Sequence, residues 1–361
     1  MGSATLYHLA RRGLRVLGLE RYDIPHAMGS SHGVTRIIRL AYFEHPTYVP
    51  LLVRAYELWR QLEREAGEEL LCITGSLDIG RPGTRVLAGS LASCNAHGLP
   101  HEVLTRSELE MRFPAFHLPQ DFQAVLQPDG GFLFSERCIV QHTMLATVQG
   151  AVVRAREAVR DWEAEGEGVR VHTTRGEYMA NRLVVTAGAW SSKVLAPLND
   201  HTTPERQVLG WFQPVRPDHF TLGRLPVFNL TVDEGHFYGF PEFSVPGFKV
   251  GLYHHLGETV DPDTMDREPH DRDEAPLRQC VERYFPDGAG PTMALKTCMF
   301  TNTMDEHFVI DTLPDAPQVA FGAGFSGHGF KFASVVGEIL ADLAEHGKTR
   351  HDISRFALAR F

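Results

Sequence analysis

The sequence is short of basic side chains and of long apolar runs, and each shortage excludes a class of protein. Lys and Arg total 35 against 45 Asp and Glu, a formal net charge of −10. A nucleic-acid or anionic-membrane partner requires a basic face, so neither is predicted. No run of about 18 apolar residues occurs, which argues against a membrane-spanning helix. A secretory signal pattern is absent as well.

Cysteine is scarce. The five cysteines are scattered without the C-x-x-C spacing of a zinc site, at Cys72, Cys94, Cys138, Cys280 and Cys298. This usage is typical of a reduced, cytoplasmic chain, and no bound metal is expected. A length of 361 residues favours two domains. Composition therefore indicates a two-domain cytoplasmic enzyme and leaves its chemistry open.

The beginning of the chain resembles half of a dinucleotide-binding unit. Residues 4–12 have helical spacing with Gly13 as a C-cap, and residues 14–19 are an apolar run typical of a strand buried on both faces, ending before Glu20. An acid at this point binds a ribose in βαβ units. The strand and glycines that open such a unit are missing here, so we interpret Gly2 as the last glycine of a G-x-G-x-x-G. An ordinary surface helix and strand is the alternative.

Two further segments carry polar groups next to apolar ones. In residues 29–42, Arg36 and Arg39 are three apart, and on a helix they would share a face and present two guanidinium forks to one anion. Solvated arginines are the alternative. In residues 319–332 an apolar strand enters a glycine-rich loop that ends near Lys331, and residues 333–344 then have the pattern of an amphipathic helix. This strand–loop–helix order suits close approach of a ligand.

The second half of the chain is rich in aromatic residues. From about 207 to 298 helical periodicity fades, and β-favouring residues bounded by turns predict an antiparallel sheet in a second domain. Residues 261–274 are acidic and contain proline, so we expect a surface loop there.

Three motifs carry a resemblance to a known family. They are H-G-x-T-R-I-I-R-x-A-Y over 32–42, C-M-F-T-x-T-x-D-E-x-F over 298–308 and G-F-S-G-H-G-F-K over 324–331. Together they resemble the monomeric sarcosine oxidase family of FAD-dependent amine oxidases, which includes N-methyltryptophan oxidase and pipecolate oxidase. The likeness runs from the first residue to the last.

The resemblance implies an α/β fold with a glutathione-reductase-like FAD-binding domain whose first strand is missing, and an α+β substrate domain built on a mixed sheet. The FAD domain would be discontinuous, comprising residues 1–69, 138–199 and 304–361. The substrate domain would comprise residues 70–137 and 200–303.

The resemblance also implies the site residues. FAD would bind covalently through Cys298 and contact a set of residues that comprises Gly2, Glu20, Ser31, His32, Arg36, Gly324, Gly327, Gly329 and Lys331. Arg39, Lys331 and Tyr238 would bind the substrate. The catalytic set would be Lys249, which activates oxygen, His254 and Tyr238 beside the amine, and Arg36.

The implied activity is oxidation of sarcosine or another N-methyl amino acid by hydride transfer to flavin, with O2 as acceptor and formaldehyde and hydrogen peroxide as products. The partners would be a small amine and O2, and the chain would be a monomer. A cyclic imino acid such as pipecolate or proline is the alternative substrate. A flavin-free, non-catalytic relative is the alternative from another class. A nicotinamide-dependent dehydrogenase is disfavoured, because only the partial dinucleotide-binding unit at the beginning of the chain supports it.

Overall fold

The structure is a computed structural model that describes residues 1–361. Its helices are α1 (Gly2–Arg11), α2 (Val49–Ala66), α3 (Arg85–His97), α4 (Arg106–Arg112), α5 (Ser135–Val148), α6 (Ser191–Val194), α7 (Asp271–Tyr284) and α8 (Ala333–His346). Its strands are β1 (Leu17–Leu19), β2 (Thr35–Ile38), β3 (Leu71–Ile73), β4 (Ser76–Gly80), β5 (Glu102–Thr105), β6 (Gln123–Gln127), β7 (Gly131–Phe134), β8 (Val152–Arg154), β9 (Val159–Glu165), β10 (Gly168–Thr173), β11 (Glu177–Ala180), β12 (Leu183–Val185), β13 (Thr203–Phe212), β14 (Val227–Val232), β15 (Gly235–Phe240), β16 (Phe248–Leu252), β17 (Thr292–Asn302), β18 (Val309–Leu313) and β19 (Ala316–Ala323). No helix combines the length and apolarity needed to cross a bilayer.

One half of the molecule is a layered α/β assembly. β1 pairs in parallel with β8, and β12 pairs in parallel with β19, which has β18 on its other side. Helices α1, α2 and α8 pack together in one apolar core. α1 and α8 approach so closely that a Cβ at Gly337 would lie 2.5 Å from Cβ of Ala4. The glycine therefore permits the contact between the two helices that pack beside these sheets.

The other half is built on an eight-stranded mixed sheet in the order β17-β13-β16-β15-β14-β4-β6-β5. β13 to β17 pair antiparallel to one another, which confirms the sheet predicted for the aromatic-rich region. A second core of aromatic and aliphatic side chains lies beside this sheet. Register brings two candidate residues onto nearby strands. Lys249 lies opposite Trp211 on β13, and β13 also pairs with β17, which carries Cys298.

The segment that carries the paired arginines is a strand and not the predicted helix. Residues 35–38 form β2, which pairs with β7, and β7 pairs with β3. Ile37 and Ile38 are β-branched and favour extended backbone. Residues three apart in a strand point to opposite faces. Arg36 and Arg39 therefore serve two different clusters and do not share one anion.

Three other local predictions are wrong in part. β1 comprises only residues 17–19 and is half-exposed, because its side chains border a cavity. α8 is buried on nearly every side and not amphipathic, since eleven of its fourteen residues are buried. Residues 261–274 are not a surface loop throughout, because α7 begins at Asp271. Within it, the buried carboxylate of Asp273 accepts hydrogen bonds from Nη1 and Nη2 of Arg206 at 2.6 and 2.8 Å. Neutralisation by Arg206 makes that burial possible.

Candidate active site and cofactor cavity

A cavity of about 1790 Å³ lies between the parallel sheets and extends to β17. It exceeds the 300–1000 Å³ that is usual for small-ligand pockets, so it has room for a dinucleotide. Seven of the ten predicted cofactor contacts lie on its wall, namely Gly2, Glu20, Ser31, Arg36, Gly324, Gly327 and Gly329. His32, Cys298 and Lys331 are buried and do not line the cavity.

The cavity offers the groups that a dinucleotide requires. The first turn of α1 lies on the wall and has no side-chain cap, which leaves its backbone N–H groups available to an anion. Glu20 follows β1 directly, and its carboxylate accepts a hydrogen bond from the backbone N–H of Tyr22 at 2.8 Å. Burial alone would raise the pKa of Glu20, but His26 and the backbone N–H groups hold it below its usual range. Glu20 is thus a charged acceptor suited to a ribose, and the residues fit FAD.

The glycine loop between β19 and α8 approaches this cavity with its backbone. Gly324 and Gly327 have φ angles of +60° and +76°, a region that favours glycine. A Cβ at Gly327 would lie 2.5 Å from the ring of Phe300. The predicted strand–loop–helix order is confirmed here, and the loop tolerates no side chain at its closest point to β17.

Cys298, Arg36 and Lys249 form the first of two cationic clusters. Nη2 of Arg36 lies 3.7 Å from Sγ of Cys298. Nζ of Lys249 donates to the carbonyl oxygens of Gly33 (2.9 Å) and Thr35 (2.8 Å) and to Oγ1 of Thr35 (2.5 Å). Burial lowers the pKa of Lys249 well below its usual range, followed by repulsion from Arg36. Because each N–H of the protonated amine would have an oxygen acceptor, Lys249 is a fully hydrogen-bonded donor buried beside Arg36.

Tyr238 lies next to this first cluster. Its ring packs against Gly251 of the neighbouring strand, where a Cβ would lie 2.5 Å from the Tyr238 hydroxyl oxygen. Burial raises the pKa of Tyr238, while the charge of Arg36 acts in the opposite direction. The phenol is therefore neutral and available as a hydrogen-bond donor.

Arg39, Glu44 and Lys331 form the second cluster. Arg39 is 2% exposed, and its Nη2 donates to both carboxylate oxygens of Glu44 at 3.1 and 3.2 Å. The guanidinium of Arg39 lies 4.6 Å, and Nζ of Lys331 5.3 Å, from the ring centre of Tyr42. Burial, followed by repulsion from Arg39, lowers the pKa of Lys331 to about 7. Residues 292 positions apart in sequence thus meet around one tyrosine.

Several side chains in this second cluster were missed by sequence reasoning. Nδ1 of His328 lies 2.5 Å from the Tyr42 hydroxyl oxygen, and Nε2 lies 2.9 Å from the carbonyl oxygen of Glu306. Because a carbonyl oxygen can only accept, Nε2 carries the proton and the Tyr42 hydroxyl donates to Nδ1. Burial lowers the pKa of His328 to about 4, which keeps the ring neutral. Both residues fall within the family motifs and were detectable there. Glu44 lies just beyond the first motif, and only the structure relates it to Arg39.

His254 has both ring nitrogens engaged. Nδ1 lies 3.1 Å from Oε1 of Glu205, and Nε2 lies 3.0 Å from Oε1 of Glu306. The bonds to Glu205 and then Glu306 raise the pKa of His254 to about 9. The predicted place beside the amine stays a prediction, since here the ring links two carboxylates. Its neighbour Tyr253 reaches the glycine loop and donates to the carbonyl oxygen of Ser326.

This arrangement predicts a pH-dependent stability. A pKa raised from 6.5 to about 9 on folding means that the stabilisation is fully present below pH 6.5 and is lost as the pH rises through 9. His254→Gln should therefore lower the free energy of unfolding at pH 6 and have little effect at pH 10. Urea titrations at both pH values measure the difference, with His346→Gln at an exposed site as the control. An equal loss at pH 6 and pH 10 would contradict the ion-pair assignment.

His32 is buried, and its Nε2 has no hydrogen-bond partner. Burial, with Arg36 next, lowers the pKa of His32 to about 4, so the ring is neutral. It does not line the cavity, whereas the preceding residue, Ser31, does. Its predicted contact with the cofactor stays a prediction.

Comparison with known proteins identifies the relatives of this chain. The profile of the family described as FAD dependent oxidoreductase matches residues 1–343. Monomeric sarcosine oxidase of Bacillus sp. (strain NS-129) is 44% identical over 365 residues, covering 100% of this chain and 94% of that protein. N-methyl-L-tryptophan oxidase of Yersinia pestis (strain Pestoides F) is 35% identical over 368 residues, covering 100% and 96%.

A solved structure agrees. NikD, an unusual amino acid oxidase essential for nikkomycin biosynthesis, superposes in its open form with a TM-score of 0.86 at 27% identity, covering 98% of this chain and 94% of NikD. The predicted fold class, an FAD-binding α/β assembly joined to a mixed-sheet domain, is confirmed by this likeness.

Proposed function

Because this chain belongs to the FAD dependent oxidoreductase family, we propose that it oxidises the N-methyl group of sarcosine or of another N-methyl amino acid. Substrate, O2 and water would give the demethylated amino acid, formaldehyde and hydrogen peroxide. The names of the curated relatives, sarcosine oxidase and N-methyl-L-tryptophan oxidase, support this substrate class. Monomeric state and cytoplasmic location remain predictions.

The observation that carries the proposal is the meeting of Arg39 and Lys331 around Tyr42. A guanidinium and an ammonium in a buried site are a carboxylate anchor, since charge-assisted hydrogen bonds are strongest where water is excluded. In the structure Glu44 binds Nη2 of Arg39. The substrate carboxylate would take that place, so that binding exchanges one carboxylate for another and the buried guanidinium stays paired.

Anchoring the carboxylate fixes the amine and its methyl group relative to the flavin and lowers the orientation cost of the reaction. Bound FAD supplies the redox chemistry, namely uptake of a hydride from the methyl carbon and passage of the two electrons to O2. The amine must be neutral to lose hydride, and a substrate pocket lined by Phe43, Tyr238, Tyr253 and Phe300 would disfavour its ammonium form. Water then hydrolyses the imine to amine and formaldehyde.

The first cluster would serve the cofactor and oxygen. The first turn of α1, Glu20, Ser31 and the glycine loop would hold FAD, and Sγ of Cys298 would bind it covalently. Arg36, 3.7 Å from that sulfur, would place a positive charge beside the ring. Lys249 is buried in the same cluster, and in its protonated form it would stabilise the negative charge that develops on oxygen.

The proposal predicts that carboxylate binding weakens above neutral pH. Lys331 has a pKa of about 7, so it is charged below that pH and loses its proton above it. A competing carboxylate without an amine, such as propionate, should bind about tenfold more weakly for each pH unit above 7. His328 and His236, both with a pKa near 4, do not titrate in this range.

Inhibition constants for propionate between pH 6 and 9 test this prediction. Propionate should inhibit the Lys331→Met variant only weakly, and its inhibition constant should not change between pH 6 and 9. A wild-type profile that is equally flat would remove Lys331 from the anchor.

A peroxide-release screen tests the function. Sarcosine, other N-methyl amino acids, pipecolate and proline are compared, and formaldehyde is measured beside peroxide. Equal amounts of the two products from an N-methyl amino acid support the proposal. Peroxide without formaldehyde from pipecolate or proline supports the cyclic alternative. A colourless purified protein that releases no peroxide would support the flavin-free relative.

A further inference from the structure

His236 is a polar side chain beside the proposed carboxylate anchor, and no step of the proposed oxidation uses it. The centre of its ring lies 5.4 Å from that of Phe43 and 5.5 Å from that of Tyr253. On the same Phe43 ring, the guanidinium carbon of Arg39 lies 4.4 Å from the ring centre. His236 and Arg39 therefore pack against one phenylalanine.

His236 lies on the face of β15 that also carries Tyr238, because side chains two residues apart in a strand point to the same side. Both side chains are half-buried, whereas Phe237 between them is buried in the second core. Burial is nevertheless the main reason that the pKa of His236 is lowered to about 4. A strongly desolvated ring that stays partly accessible belongs to the wall of an internal recess and not to the outer surface.

The hydrogen bonds around Asn229 determine which nitrogen of His236 carries the proton. Nδ2 of Asn229 donates to Oδ1 of the buried Asp78 at 2.6 Å, so the amide oxygen is the atom that lies 3.4 Å from Nε2 of His236. Because an amide oxygen can only accept, Nε2 is the protonated nitrogen of the neutral ring. Nδ1 is then an acceptor. It forms no hydrogen bond with the protein, and it is not sealed in the interior as Nε2 of His32 is.

We propose that Nδ1 of His236 accepts a hydrogen bond from the side chain of the substrate, so that this protein prefers N-methyl amino acids whose side chain ends in a hydroxyl or an N–H group. The inference rests on the proposed function, because Arg39 must hold the substrate carboxylate for the side chain to extend toward His236. A desolvated acceptor selects such a donor, since an apolar substituent would leave Nδ1 without a partner.

Binding of carboxylates that cannot be oxidised tests this inference without turnover. The flavin-loaded full chain is titrated with β-hydroxypropionate and with butyrate, which differ only in a terminal hydroxyl or methyl group, and Kd is obtained from the change in flavin absorbance. We expect β-hydroxypropionate to bind more tightly to the wild type. In His236→Leu the ratio of the two Kd values should shift about tenfold toward butyrate, because one hydrogen bond is lost.

Two further variants control for the change at this position. His236→Gln supplies an amide oxygen as acceptor and should keep part of the preference for the hydroxyl compound. His117→Leu is the matched control and should keep all of it, since His117 is exposed and only its backbone N–H forms a hydrogen bond. Tighter binding of butyrate by the wild type would overturn the inference, whether or not the variants fold.

Turnover of N-methyl-L-serine and N-methyl-L-α-aminobutyrate, which are matched in the same way, gives a second measurement. The ratio of their kcat/KM values should favour the serine derivative about tenfold in the wild type and approach unity in His236→Leu. The same ratios in wild type and His236→Leu would overturn the inference and leave the proposed oxidation of N-methyl amino acids intact. If neither carboxylate binds and no N-methyl amino acid is oxidised, the proposed function is wrong and the inference falls with it.

Discussion

Replacement of Arg39 by alanine is expected to raise KM for carboxylated substrates by about 100-fold, because charge-assisted hydrogen bonds of a buried guanidinium are lost. The flavin content should not change, since Arg39 is not on the wall of the cofactor cavity. Initial rates of peroxide release over a range of substrate concentrations give KM and kcat separately. Arg81→Ala, at an exposed ion pair with Asp233, is the control and should match wild type.

The partner of Arg39 gives an opposite expectation. Glu44→Gln removes the carboxylate that binds Nη2 of Arg39 and would compete with the substrate carboxylate, so KM should fall. This variant separates binding from folding, because Arg39→Ala also leaves Glu44 buried without its cation. If KM for every carboxylated substrate is the same in Arg39→Ala as in wild type, Arg39 has no place in the site.

Replacement of Cys298 by serine is expected to convert all of the bound flavin from acid-stable to acid-extractable. The substitution removes the only sulfur in the first cluster and keeps its size, while Arg36 stays beside the new hydroxyl. Trichloroacetic acid precipitation followed by absorbance of pellet and supernatant measures the change. Cys72→Ser, a half-buried thiol on β3, is the control and should keep its flavin in the pellet. Wild-type protein that releases its flavin into the supernatant would show that the linkage is not covalent.

Local sequence patterns predicted the glycine loop and the antiparallel strands, since both depend on the conformational preferences of residues close in sequence. Gly324 and Gly327 have the positive φ angles that their residue type favours. The same local reasoning was wrong for Arg36 and Arg39, because a spacing of three suits a helix and β2 is set by pairing with β7, nearly 100 residues away. Burial of Asp273 likewise depends on Arg206, which lies on β13.

The parts of the site that escaped prediction are contacts between distant segments. The resemblance predicted that Arg39 and Lys331 bind the substrate together, but no spacing relates Arg39 to Glu44 as its ion-pair partner. His236 packs against Tyr253 and Phe43 without belonging to any motif. His254 was predicted from the resemblance. Its bonds to Glu205 on β13 and to Glu306 join segments that are far apart in the sequence. The sequence thus predicts candidate residues for the chemistry, whereas the fold decides which charges lie beside them.

The division of the parallel strands into two sheets affects how the protein must be handled. β1 has β8 as its only neighbour and β12 has only β19, so each keeps one free backbone edge, and both strands border the cofactor cavity. Free edges are templates on which other polypeptides can add a strand. We therefore expect preparations poor in flavin to aggregate more than fully loaded ones.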